Sequence, residues 1–198
     1  MVEQHNTNRG RAGLHPNPRR IGVALLAVSA AALLGTTATT QAASAPASIC
    51  GKVSAASVSA VVGFKVPSPT QSVLHLPATK NNYEISSVDT SCTYGAEKSL
   101  TDLAKSVTLD ISVASKTLTE AEILASTKKA EELSHHAFKL TSYSGLGVPG
   151  YYLTESEDGL HIQVLSGVSG THGFGAAVYS STLAMSKLVA LAKLAEKL

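Results

Sequence analysis

Cys50 and Cys92 are the only two thiols in the 198-residue chain. A catalytic cysteine needs a histidine placed to take its proton, and no histidine lies near either cysteine in the sequence. The pair reads instead as a structural disulfide, the usual state of two cysteines in a chain that matures outside the cytoplasm. Only one intramolecular pairing exists. Closing its loop removes about 4 kcal/mol of unfolded-state freedom in the chain-entropy treatment. Among the histidines, His135 and His136 are adjacent and point in different directions at a helix end, which makes a poor chelate; helical zinc patterns use i, i+3 or i, i+4 spacing. His75, His161 and His172 are scattered.

Gly145-Leu146-Gly147-Val148-Pro149-Gly150 spells G-x-G-x-x-G. A dinucleotide site needs a strand before that motif and a helix opening on its last glycine. Here Pro149 interrupts it and a strand follows, so it reads as a turn. Residues 170–175 read as another strand connection. No G-x-S-x-G occurs; Gly167-Val168-Ser169-Gly170 is one residue short of it. Glu155, Glu157 and Asp158 cluster at a hairpin tip, where carboxylates are solvated. The sequence therefore assigns no catalytic, cofactor-binding or metal-ligating residue, although a carboxylate pair drawn from distant positions stays open. Tyr151-Tyr152 is more suggestive. Adjacent tyrosines on a strand face opposite ways, one to the core and one out. The outward one, with His161 and Gln163 on a neighbouring strand, forms a candidate contact surface. The competing reading is an ordinary half-wet sheet face.

These residues sit behind a leader. Residues 1–20 are polar and cationic and hold all four arginines, Arg9, Arg11, Arg19 and Arg20. Residues 21–35 are an uncharged apolar run, shorter than the roughly 20 residues of a membrane span but suited to the core of a secretory signal. Thr40-Gln41-Ala42 places small residues at −3 and −1, which predicts a signal peptide over 1–42 cleaved after Ala42; cleavage after Ala47 is the second choice. The Arg19-Arg20 pair raises twin-arginine export, with a poor match around it. Cys50 follows the bulky Ile49 and lies too far from the apolar run to carry a lipid. Past residue 42 the chain has 12 lysines, 13 acidic residues and no arginine, a net charge of −1. Without guanidinium forks or a basic patch, nucleic-acid binding is excluded, and membrane contact is confined to the leader if it is retained. About 156 residues suit one domain.

After a linker over 43–48, a single domain over 49–198 must position the candidates. Residues 54–62 predict a short helix with Ser54 as N-cap, Val58, Val61 and Val62 on one face, and Gly63 as its left-handed stop. Residues 64–80 hold Pro67, Pro69 and Pro77 and read as irregular. Residues 83–88 and 91–94 predict short strands. Over 106–115, Val107, Leu109, Ile111 and Val113 alternate with Thr108, Asp110 and Ser112, a strand with one buried and one wet face. Thr119 and Glu122 form a capping box opening an amphipathic helix to residue 134, with Ile123, Ala130 and Leu133 inside. Phe138 and Leu140 begin a strand. Strands over 151–155 and 160–165 meet at a Glu157-Asp158-Gly159 turn, with Leu160, Ile162 and Val164 facing the core. A loop over 167–173 leads to a strand over 174–179. Ser180 or Ser181 then caps a final helix over 183–197, with Met185, Leu188, Leu191, Ala195 and Leu198 inward. The order predicts an α+β fold: an antiparallel sheet of about five to seven strands with a short N-terminal helix, a middle helix and a C-terminal helix packed on it.

The leader, Cys50, the helix ending Val61-Val62-Gly63, Cys92-Thr93-Tyr94, the Gly145-Leu146-Gly147 turn into Tyr151 and the closing Leu/Ala/Lys helix together resemble small exported actinobacterial cell-envelope proteins and lipoproteins that carry a domain of unknown function, some of them of the PsbP-like α/β/α sandwich type. The resemblance implies binding or accessory roles at the envelope and no catalytic residue. The chain lacks the lipid-attachment cysteine of the lipoprotein members. The expected function is an exported, disulfide-stapled binding or accessory protein, with no cofactor, whose partner is an envelope protein or an apolar small molecule. The alternatives are an envelope-directed hydrolase with a dispersed site and a membrane-anchored structural protein with an uncleaved leader.

Overall fold

The fold is that of a computed structural model, which describes residues 48–78, 85–95, 104–117, 119–125, 139–157, 160–179 and 182–198. The leader, the Ala42 cleavage site, Ala130, Leu133, His135, His136, Phe138, Ser180, Ser181 and the tip of the 157–160 hairpin lie outside them. A 3-10 turn, Ile49–Lys52, precedes helix α1, Ala55–Val62. Strands β1 (Thr70–Leu76), β2 (Ser87–Tyr94) and β3 (Val107–Ala114) follow. Helical backbone over 120–125 is α2. Then come β4 (Lys139–Tyr143), β5 (Gly150–Glu157), β6 (Leu160–Ser169), β7 (His172–Tyr179) and helix α3, Met185–Ala195. The seven strands form one sheet in the order β1-β2-β3-β7-β6-β5-β4, with every neighbouring pair antiparallel. The expected α+β class, strand number and helix positions hold.

Local chemistry sets the helix ends. Ser54 Oγ accepts from the Ser57 N–H at 3.1 Å, and Gly63 closes α1 at φ 88°, a conformation other residues take only with strain. Lys187 of α3 donates to the Val62 carbonyl at 3.2 Å, a cation on the negative end of α1. The Thr119–Glu122 capping box is complete: the Thr119 N–H donates to Glu122 Oε2 at 2.8 Å, and the Glu122 N–H donates to Thr119 Oγ1 at 3.2 Å.

Strand register fixes two sheet faces. The helical face carries Cys92, Tyr94, Val107, Leu109, Leu165, Ala176 and Val178, packed against Val58 and Val62 of α1 and Leu188, Leu191, Ala192 and Ala195 of α3. The Cys50–Cys92 disulfide (Cα–Cα 5.5 Å) ties the 3-10 turn to β2, as expected. Tyr94 reaches the same turn, its hydroxyl donating to the Val53 carbonyl at 2.8 Å. Lys52 Nζ donates to the carbonyl of Leu198, so the turn also holds the end of α3. The far face carries a second cluster of Leu153, Ile162, Val164, Ala177 and Tyr179. There α2 approaches the sheet: Ser142 Oγ donates to Glu120 Oε1 at 3.3 Å, and Ile123 is buried.

Four sequence expectations are corrected. Residues 64–80 contain a full strand, β1, because Pro69 and Pro77 flank it and none falls inside. The two short strands expected around residues 83–94 are one continuous strand over its described part, β2. The expected loop over 167–173 is mostly strand: β6 runs to Ser169 and the chain reverses at Gly170 (φ 63°) and Thr171. Finally, the polar side of β3 is not wet: Thr108, Asp110 and Ser112 are all buried.

Candidate functional site

The expected tyrosine surface divides between the two faces. Tyr151 points to the far face opposite Ser166 and is buried. That burial pushes its phenol pKa up, and the Glu120 carboxylate adds to the shift. Tyr152 is the tyrosine that shares the helical face with His161 and Gln163, but the segment leading into α3 lies over that face. Gln163 is only 2% exposed. Its Oε1 accepts from the Leu183 N–H at 2.6 Å, and its Nε2 donates to the Tyr152 hydroxyl at 2.8 Å and to the Leu183 carbonyl at 3.4 Å. Gln163 is therefore a buried clamp that fixes the entry to α3, and Tyr151 is a core residue. Neither is an open contact group. Tyr152 and His161 keep partial exposure, with His161 Nδ1 3.1 Å from Ser156 Oγ. Gln163→Leu strands the buried Leu183 N–H and removes the partner of the half-buried Tyr152 hydroxyl. It is expected to cost about 2–3 kcal/mol of stability in urea unfolding; a loss below about 0.5 kcal/mol would contradict the clamp.

The open surface lies at the other end of the helical face. Strand β3 is about 27 Å long, whereas α3 and α1 reach only about 16 and 12 Å. Neither helix alone spans the strand, and burial along its apolar side fades from Leu109, fully buried, through Ile111, half-buried, to Val113, 44% exposed. Register sets Val113 directly beside Val88 of β2 on one side and His172 of β7 on the other, with His75 of β1 beyond Val88. The result is a row across four strands, His75–Val88–Val113–His172, with both valines exposed. Alternation alone hides this row, because Val113 continues the same pattern as Leu109. Comparing strand and helix lengths reveals it.

The far face holds a polar square. Asp89 faces Ser112 across β2 and β3, and Ser91 faces Asp110. The two carboxylates thus occupy diagonal corners and two hydroxyls the others. Asp110 is 3% exposed. Burial pushes its pKa up to about 7; a hydrogen bond with Ser91 opposes the rise, and the Asp89 charge adds to it. Asp110 Oδ2 has no hydrogen-bond partner among the described residues. A carboxyl that ionises near neutral pH can hold or release a proton under ordinary conditions. Nothing in the sequence pattern marks it, because an aspartate in an alternating strand reads as the wet side. Among the described residues no three His, Cys, Asp or Glu side chains group as a metal site.

Comparison with models of known protein families and with curated proteins gives no match. Fold and bridge define the class: a disulfide-stapled α+β domain on one antiparallel seven-stranded sheet. Its disulfide is compatible with an extracellular setting. Among the described residues no helix is long and apolar enough to cross a membrane.

Proposed function

We propose that the chain is an exported binding or accessory protein of the cell envelope, akin to the small actinobacterial exported proteins it resembles, and that it meets an envelope protein through the open end of its helical face. The observation that carries the reading is the exposed Val88–Val113 pair, flanked by His75 and His172 on a rigid sheet. Apolar side chains set in a polar rim are the usual centre of a protein contact. The leader supplies export, and the buried disulfide suits the compartment that export reaches. The absence of arginine past residue 20 turns the reading away from nucleic acid.

A photo-crosslinking residue at position 113 of the exported protein tests this, with position 197, just past α3, as control. A discrete adduct from position 113 alone, lost in the Val88→Lys background, is the expected result. No adduct, or the same adducts from both positions, would refute the surface. A second reading, an envelope-directed hydrolase, draws on one observation, the diagonal Asp89–Asp110 pair, and requires that buried pair to open to substrate. It predicts that Asp110→Asn abolishes turnover of cell-wall fragments while the fold persists.

A further inference from the structure

Two buried oxygens on the far face have no hydrogen-bond partner among the described residues. They are Asp110 Oδ2 and Ser87 Oγ, on side chains 3% and 4% exposed. Buried carboxylates are paired or hydrogen-bonded as a rule, and an exception calls for an ion, a water or a proton. Asp110 stands at one corner of the square it forms with Asp89, Ser91 and Ser112, and Ser87 follows Asp89 along the same face of β2. By strand geometry the square measures about 4.8 Å across the strands and about 6.7 Å along them, so its centre lies about 4 Å in plan from each Cα. All four side chains leave the same face and reach over that centre. The two carboxylates already feel each other, since the Asp89 charge adds to the rise in the Asp110 pKa. On the other side of Asp110 and Ser112 stand Gly175 and Gly173 of β7, which bring no side chain to compete.

A proton does not meet this demand. Placed on Oδ2 it removes the charge but turns an acceptor without a partner into a donor without one. A water supplies donors but no charge. A divalent cation balances both carboxylates at once. We propose that Asp89, Asp110, Ser91 and Ser112 hold a calcium ion between β2 and β3. The four side chains offer six oxygens and neither nitrogen nor sulfur, the donor type and number that calcium takes. Among the described residues no third His, Cys, Asp or Glu joins the pair, so the loaded site is neutral. Magnesium demands a near-ideal octahedron and sheds its waters reluctantly, which a site this buried penalises. The site lies on the opposite face of β3 from the contact proposed at Val113 and does not depend on it.

The chain as recovered from an exporting host, stripped with chelator and held at constant ionic strength, tests the site. Calcium chloride, titrated from micromolar to millimolar, is expected to raise the thermal unfolding midpoint, by about 3–6 °C at ten times the dissociation constant. Magnesium chloride and sodium chloride are expected to leave it nearly unchanged. Asp110→Asn and Asp89→Asn keep the shape and remove a ligand charge; each is expected to weaken calcium binding about tenfold or more in isothermal titration calorimetry. Glu155→Gln, which removes an acid three strands away, is expected to bind calcium as wild type does. Circular dichroism confirms that each variant is folded, and Ser112→Ala probes the same square from a neutral corner should an asparagine variant unfold. No midpoint shift with any cation, which leaves the pair to a proton or a water, overturns the inference. So does a calcium shift that both asparagine variants leave intact, that Glu155→Gln abolishes or that magnesium matches.

Discussion

Asp110→Asn is expected to stabilise the protein by about 3–4 kcal/mol at pH 8 and to remove most of one pH-dependent slope in its stability. The folded carboxyl titrates at about 7, whereas an unfolded aspartic acid titrates near its ordinary value of about 3.9. Below that lower value both states hold the proton and Asp110 costs nothing in ionisation. As pH rises towards 7, the unfolded state releases the proton while the folded state keeps it. Stability therefore falls with rising pH across this window and levels off above it. Asparagine has nearly the same shape, keeps a partner for Ser91 and carries no charge to repel Asp89. Urea unfolding at pH 4.5, 6 and 8 provides the check. Equal slopes for wild type and Asp110→Asn would show that the carboxyl is not desolvated as its burial requires.

Replacing both half-cystines, Cys50→Ser with Cys92→Ser, is expected to cost about 4 kcal/mol. The bridge spans a sequence separation of 42, and both residues are buried against the helical-face core. Against a typical domain stability of about 5–15 kcal/mol, a loss of this size leaves a marginal fold. The turn it anchors also receives the Tyr94 hydroxyl and holds Leu198, so the loss extends to the packing of α3. Urea unfolding of wild type with and without reductant, beside the double variant, measures it. A difference below about 1 kcal/mol would mean that Tyr94 and Lys52 hold the turn unaided.

Much of the fold is legible locally. Ser54 and Gly63 bracket α1 because capping is decided within one turn, and Thr119 with Glu122 works the same way. The alternation in β3 and the common face of His161 and Gln163 follow from the two-residue strand period. What escapes is set at a distance. β1 hides behind its flanking prolines, which cannot enter a ladder but mark its ends well. Gln163 reads as wet because glutamine usually is; only the α3 lead-in, 20 residues on, gives it partners. Asp110 reads as wet for the same reason, yet it is buried in the fold. Of the candidate site, the two cysteines were readable, while the Val88–Val113 row required the lengths of packed elements.

The place of β7 has a consequence for biogenesis. It joins the β1–β3 meander to the β4–β6 meander, since β3 pairs with β7 and with nothing later than β2 otherwise. Both halves of the sheet, and the helix that packs across their junction, therefore wait for β7, His172–Tyr179. Such long-range closure is slow. A nascent chain therefore keeps its two half-sheets unjoined until β7 has left the ribosome.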